Sequence, residues 1–184
     1  MAQAFSLCAD RFGKEFDPMS LADTLISELE QEAKTTRALL ARVPDDKLSW
    51  KPHARSMSLG QLANHIATIP GFVAQVGARD TMDYESFSLA PPPETAAAIM
   101  AAFEESVAQA KAILGEMDDA AMMKNWSLIK TGQPVMTMPR IGVYRYPLLN
   151  HLCHHRGQLS VYMRLLDIAV PPIYGPSADE NPYG

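Results

Sequence analysis

The chain has 184 residues, 47% of them hydrophobic, which is enough to fill the core of one ordinary domain and argues against global disorder. Its 16 Lys and Arg residues are outnumbered by 21 Asp and Glu residues, and the net charge of -5 argues against nucleic acid and anionic membrane as partners. Two cysteines cannot form a disulfide framework, and the sequence shows neither a membrane-length apolar run nor a secretory signal. We therefore expect one cytoplasmic domain over 1–184, with an irregular N-terminal segment (1–19) and a proline-rich tail (167–184).

Apolar residues that recur every three or four positions predict the first two helices. The first covers 20–42, where a serine with an aspartate three residues later resembles a capping box, and Pro44 ends it. The second begins near Ser58 and carries an apolar stripe over its following turns. Pro70 and Gly71 lie within this stripe and predict a kink or a split in the helix.

The second half of the chain predicts two more helices and a small hairpin. After a long polar loop that ends in three prolines, a helix is expected over 94–114. Residues 125–138 then look like two short strands around the turn TGQP. The last helix covers 140–166, with Pro147 inside its pattern, and the tail cannot be helical. Four long amphipathic helices and one hairpin predict an all-α four-helix bundle with a small β-hairpin before the last helix.

Three of the five histidines are expected to face the core of this bundle. At about 100° per residue, His151 and His155 both point toward the apolar stripe of the last helix, and a spacing of four lets two imidazoles meet one ion. His65 borders the stripe of the second helix, which a bundle can place opposite the pair. Three neutral imidazoles suit zinc, nickel or a similar divalent ion and leave a position open for water or substrate. The alternative is that each is a hydrogen-bonded core residue.

Other polar residues near these histidines can support a site or line a pocket, and each also has a structural interpretation. Gln158 can bond a ligand imidazole or lie at the bundle edge, and Asn64 can support its neighbour His65. His154 falls on the flank of the last helix, and Tyr162 lines the pocket or belongs to the core. Four methionines can line a flexible apolar pocket or fill gaps in the core: Met122, Met123, Met136 and Met138. Arg156 is expected to pair with a carboxylate.

The segment NHLCHHRGQLSVYMRLL (150–166), followed by PPIYGPSADE, resembles the end of DinB-family proteins. The stretches LSWKPHARSMSLGQLANHIATIPG and WSLIKTGQPVMTMPR agree with this resemblance, which covers most of the chain from Leu21 onward. It implies a four-helix bundle with up-down-down-up topology and a metal site of three histidines, which correspond to His65, His151 and His155. It also implies a homodimer.

The resemblance implies a metal-dependent enzyme that acts on a small molecule. Characterised relatives include thiol-dependent transferases and isomerases that use bacillithiol, mycothiol or glutathione. A divalent ion can lower the pKa of such a low-molecular-weight thiol and present it as a nucleophile. Two alternatives stay open: a metal-dependent hydrolase, and a non-catalytic dimeric protein of the stress response that binds metal or another ligand.

Overall fold

A computed structural model describes residues 19–88, 91 and 93–184 of the protein. Of the N-terminal segment that was expected to be irregular (1–19), residues 1–18 lie outside the described residues and residue 19 lies within them. The described chain is mainly helical and carries a small three-stranded sheet. In chain order the elements are α1 (Leu21–Leu40), α2 (Leu59–Gly77), β1 (Thr81–Asp83), α3 (Ala96–Gly115), α4 (Asp119–Met123), β2 (Asn125–Lys130), β3 (Gln133–Pro139), α5 (Arg140–Val143) and α6 (His151–Leu165).

The first two helices begin where their serines predict. The Ser20 hydroxyl accepts the backbone N–H of Asp23 at 3.0 Å, which satisfies one of the free donors in the first turn of α1. Ser58 and Gln61 form a reciprocal capping box at the start of α2, with bonds of 3.1 and 2.8 Å. These bonds fix the start of α2 at Leu59, six residues before His65.

Helix α2 runs through Pro70 without interruption, so the split that this proline predicted does not occur. The backbone N–H of Gly71 donates instead to the Ser106 hydroxyl of α3 at 2.7 Å, so this buried donor keeps a partner. A Cβ at Gly71 would lie 3.0 to 3.2 Å from the side chains and backbone of Ser106 and Gln109. The absence of a side chain therefore lets α3 approach α2 closely at this point.

The last predicted helix is helical throughout, but its pitch changes. A π-helical segment, Tyr144–Asn150, joins α5 to α6 and contains Pro147. Proline lacks the N–H that a regular turn requires, and a wider turn accommodates this loss. His151 and His155 lie beyond the segment, on the regular helix α6.

The sheet confirms the predicted hairpin and adds a strand that the sequence did not predict. Strands β2 and β3 are antiparallel, and Thr131 and Gly132 turn between them with φ values of 48° and 74°. Strand β1 lies parallel to β2, in a stretch that was predicted as polar loop. The expected all-α class is therefore corrected to a mainly helical fold with a three-stranded sheet. The sequence did not indicate β1 because its three residues are exposed or half-buried and show no apolar alternation.

The long helices share one hydrophobic core. Helix α2 contacts α3 and α6, and α1 contacts the same two helices. Gly77, at the end of α2, lies against the fully buried Tyr144 ring, and a Cβ there would come within 2.6 Å of it.

Residues 166–184 form neither helix nor strand, as their prolines predict. Among the described helices, none has the length and apolar character needed to cross a membrane.

Candidate metal centre

Packing of α2 against α6 brings three imidazole rings together. His65 comes from α2, and His151 and His155 come from consecutive turns of α6. One ring nitrogen from each residue lies within 4.8 Å of the others. The ring centroids are 4.4 to 5.1 Å apart, and the rings are half-buried or buried. Three close histidines of this kind can hold a metal ion.

Hydrogen bonds fix which nitrogens of the pair on α6 face the shared space. The side-chain oxygen of Gln158 lies 2.7 Å from His155 Nδ1, and an amide oxygen only accepts, so Nδ1 carries the proton. The His151 ring lies near the backbone of Pro147, one turn earlier, and this contact favours the charged form of the ring. The two Nε2 atoms then face each other at 2.7 Å.

This arrangement fits a cation. The two Nε2 atoms lie at hydrogen-bond distance, so they can share one proton or, when both are unprotonated, present two lone pairs to one cation. A third nitrogen, from His65, is within reach of the same cation. The bond between Gln158 and His155 Nδ1 is of the kind that ligating histidines typically make, because it fixes the tautomer and raises the basicity of the ligand nitrogen.

The surroundings keep the rings neutral. Burial, together with smaller contributions from charge repulsion by His155 and His151, lowers the pKa of His65 to about 4. Burial also lowers the pKa of His151 and of His155, although their bonds to Pro147 and Gln158 act in the opposite direction. Since only an unprotonated imidazole binds a metal, these shifts prepare the cluster for an ion at neutral pH.

The other candidate residues occupy different places around the cluster. Asn64 is buried and lines a cavity next to His65. His154 is exposed on the flank of α6, with its ring 4.8 Å from that of His155. Tyr162 donates to the backbone carbonyl of Met57 at 3.3 Å and does not line the cavity. Of the two roles that the sequence allowed for Tyr162, packing in the bundle therefore applies and lining of the cavity does not.

A cavity of about 580 Å³ opens beside the histidines and contacts His65 and His151. Of the four candidate methionines, Met136 lines it, whereas Met122 is fully buried in the core. The sequence did not predict the wall that β1 contributes through Met82, because nothing marked that stretch as a strand. It also missed the wall contributed by the π-helical segment, for which Pro147 was the available signal.

The sequence model of the DinB family matches residues 18–182. The chain belongs to the DinB family. It is 28% identical over 160 residues to the uncharacterized protein YrdA of Bacillus subtilis (strain 168), a match that covers 86% of this chain and 90% of YrdA. Crystal structures of two DinB-like proteins share its fold. The one from Bacillus cereus ATCC 10987 has a TM-score of 0.66 at 24% identity, covering 82% of this chain and 95% of its own. The one from Bacillus subtilis, YjoA, has a TM-score of 0.65 at 19% identity, covering 82% and 97%.

In this DinB protein, a buried ion pair holds the ligand-bearing helix against α1. Arg156 is fully buried and pairs with Glu32, the kind of partner expected for it. Its guanidinium also donates to the backbone carbonyl of Glu32 at 2.9 Å and to the hydroxyl of Tyr174 in the tail. Because Arg156 follows His155 directly, the pair fixes the rotation of α6 that turns the two histidines toward α2.

Proposed function

We propose that the protein is a divalent-metal-dependent enzyme whose ion is held by His65, His151 and His155. One observation carries the proposal: the Nε2 atoms of His151 and His155 lie 2.7 Å apart, and a third imidazole, that of His65, is within reach. Neutral imidazoles favour zinc or nickel among the divalent metals. Three protein ligands leave a coordination position for a reactant, as in catalytic rather than structural sites.

The residues of the chain supply position and environment for the chemistry. When bound, a divalent ion acts as a Lewis acid that lowers the pKa of a thiol or of water. Gln158 holds His155 in the tautomer that presents Nε2. The cavity that reaches His65 and His151 is lined mainly by apolar side chains, which reduce the amount of water around a bound reactant.

We favour thiol transfer or isomerisation, in which a low-molecular-weight thiol attacks an electrophile. The chemistry comes from the family resemblance, and the cavity beside the histidines supports it because a second reactant needs a binding place next to the nucleophile. Hydrolysis uses the same open position with water in place of the thiol, and a non-catalytic protein that binds metal or ligand uses the site without turnover.

We also infer the finer arrangement of the fold and its assembly. The contacts of α2 with α3 and α6, and of α1 with α3 and α6, support a four-helix bundle. Its up-down-down-up topology is what the family resemblance implies. A homodimer and a cytoplasmic location follow from the family resemblance and from the composition, and both stay predictions.

Metal analysis of the purified protein tests the site. We expect close to one zinc or nickel ion per chain, and loss of the ion in His151→Ala and in His155→Ala. His154→Ala is the matched control, because it removes an exposed imidazole from the same helix between the two proposed ligands. Equal metal content in all three variants would remove the proposed site.

Activity is measured separately. With cobalt in the site, addition of bacillithiol, mycothiol or glutathione should produce a sulfur-to-metal charge-transfer band, followed by metal-dependent consumption of an electrophile. Ester or amide cleavage without thiol would favour the hydrolase. A metal-loaded protein with neither response would favour the non-catalytic alternative.

A further inference from the structure

We propose that the cavity beside the three histidines binds an uncharged, largely apolar molecule, which lies along α2 and reaches His65 with its reactive end. This molecule is the electrophile of the proposed reaction, so its chemical role rests on the proposed function, whereas its binding does not. The polar and apolar side chains of the cavity are distributed unevenly along its walls, and this distribution selects the ligand.

Helix α2 forms one wall, and its side chains change character along the cavity. The turns that hold Gln61, Asn64, His65 and Thr68 are polar, and the following turns present Ile69, Phe72, Val73 and Val76. At a rise of 1.5 Å per residue, the distance from His65 to Val76 is about 16 Å. The cavity is therefore elongated, with hydrogen-bonding groups only at the histidine end of this wall.

The sheet forms the opposite wall with one continuous apolar row. Met82 of β1 pairs directly with Leu128 of β2, which pairs with Met136 of β3, and all three line the cavity. Trp126 lies on the same face of β2, two residues before Leu128. Its indole N–H donates to the backbone carbonyl of Val76 at 3.2 Å, so the ring offers the cavity no free donor.

The charges around the cavity favour a neutral ligand. No described residue of the wall is a Lys, Arg, Asp or Glu, so an ionised group at the apolar end would lose hydration without gaining an oppositely charged partner. The Lys130 ammonium lies 5.1 Å from the centre of the Tyr84 ring, a cation–π contact, but Lys130 itself does not line the cavity.

The volume decides the size of the ligand. A cavity of about 580 Å³ lies within the range of pockets that enclose most of a drug-sized molecule. Two or three fused or linked aromatic rings fit this volume, and methionines at both ends of the row can adjust to their shape. A branched sugar phosphate or a dinucleotide would bring charges that the wall does not neutralise.

A matched pair of fluorescent probes tests the charge requirement on the unaltered protein. N-phenylnaphthylamine is neutral, and anilinonaphthalene sulfonate adds one sulfonate to the same skeleton. We expect the neutral probe to bind with a large fluorescence increase and the sulfonate to bind at least about tenfold more weakly, because its charge would be desolvated. Equal affinities, or no binding of the neutral probe, would overturn the proposal.

Three substitutions at two positions of one strand locate the binding site. Met136 lines the cavity and is 37% exposed, whereas its neighbour Val135 is 57% exposed and does not line it. Met136→Lys and Met136→Glu should each weaken N-phenylnaphthylamine by about tenfold or more, whatever the sign of the new charge. Val135→Lys should leave the affinity within about twofold. A similar loss in Val135→Lys would place the probe elsewhere, against the proposal.

The His155→Ala variant separates this inference from the metal proposal. His155 belongs to the histidine cluster but does not line the cavity, so this variant should lose its metal and still bind the neutral probe. Lost metal together with lost probe binding would overturn the cavity assignment alone, whereas retained metal with unchanged probe binding would overturn the metal site alone. Light-scattering measurements of the oligomeric state provide one more test. If the protein is an oligomer that Met136→Lys dissociates, and no probe binds, a second copy covers the cavity and the proposal is wrong.

Discussion

Removal of the Gln158 side-chain oxygen should weaken metal binding without unfolding the protein. This oxygen lies 2.7 Å from His155 Nδ1 and is the partner that fixes the proton on that nitrogen. In Gln158→Leu the ring is free to place its proton on Nε2, the atom that faces His151. Part of the population would then present no lone pair to an ion, and the metal affinity should fall.

The structure allows a magnitude for this loss. A bond between neutral groups contributes about 0.5–1.5 kcal/mol, and removing a group that orients a ligating histidine lowers metal affinity about 10- to 100-fold. Gln158 is exposed, so water can replace part of the lost bond. We therefore expect the lower end of that range, about tenfold, which corresponds to about 1.4 kcal/mol.

Competition with a chromophoric chelator at neutral pH measures the affinity, and circular dichroism shows whether the helices persist. Gln158→Glu is the matched control, because a carboxylate keeps the acceptor and makes the imidazole more basic. Its affinity should equal or exceed that of the unaltered protein. The reasoning would be refuted if Gln158→Leu bound metal within about twofold of the unaltered protein, or if Gln158→Glu lost as much affinity as Gln158→Leu.

Three further predictions concern the packing that holds the site. Gly77→Ala places a Cβ 2.6 Å from the buried Tyr144 ring and should lower the free energy of unfolding by about 1–3 kcal/mol in urea titrations, with partial recovery in Gly77→Ala/Tyr144→Leu. Arg156→Ala should cost about 3 kcal/mol because it leaves the partly buried Glu32 without its partner, whereas Arg164→Ala, in an exposed pair, should cost under about 1 kcal/mol. Bonds from Arg164 and from the Val170 N–H hold the pKa of Asp179 below its usual 3.8, so its bonds to α6 and to Val170 are stable above that pH and are lost as the pH falls through the lowered value. At neutral pH, amide hydrogen exchange at Val170 should be faster in Asp179→Asn than in the unaltered protein. Below the lowered pKa of Asp179, the two exchange rates should be equal.

The elements with strong periodicity could be predicted from the sequence. Ser20 and Ser58 begin their helices through the cap bonds that their sequence context indicates. The hairpin of β2 and β3 follows from its turn residues. Strand β1 could not be predicted, since its three residues gain their hydrogen bonds from β2, far away in sequence. A contact of that kind leaves no local pattern.

For the candidate site, the sequence indicated the helix faces but not the surroundings. A regular wheel placed His151 and His155 on one side of α6, and the structure shows their Nε2 atoms 2.7 Å apart. That these residues bind a metal stays a prediction. The cavity could not be derived, because Met82, Leu128 and Met136 become neighbours only through the register of three strands.

The π-helical segment before α6 links the two halves of the proposed site. An extra residue in a helical turn rotates the preceding turns by about 100° relative to the later ones. Val143, Tyr146 and Pro147 thereby line the cavity, while the histidines of α6 keep their direction toward α2. The backbone of Pro147 also lies near the ring of His151 and favours its charged form. One irregular turn thus shapes the wall that a ligand would touch and lies beside a histidine that an ion would bind. A change in its pitch should therefore disturb both together.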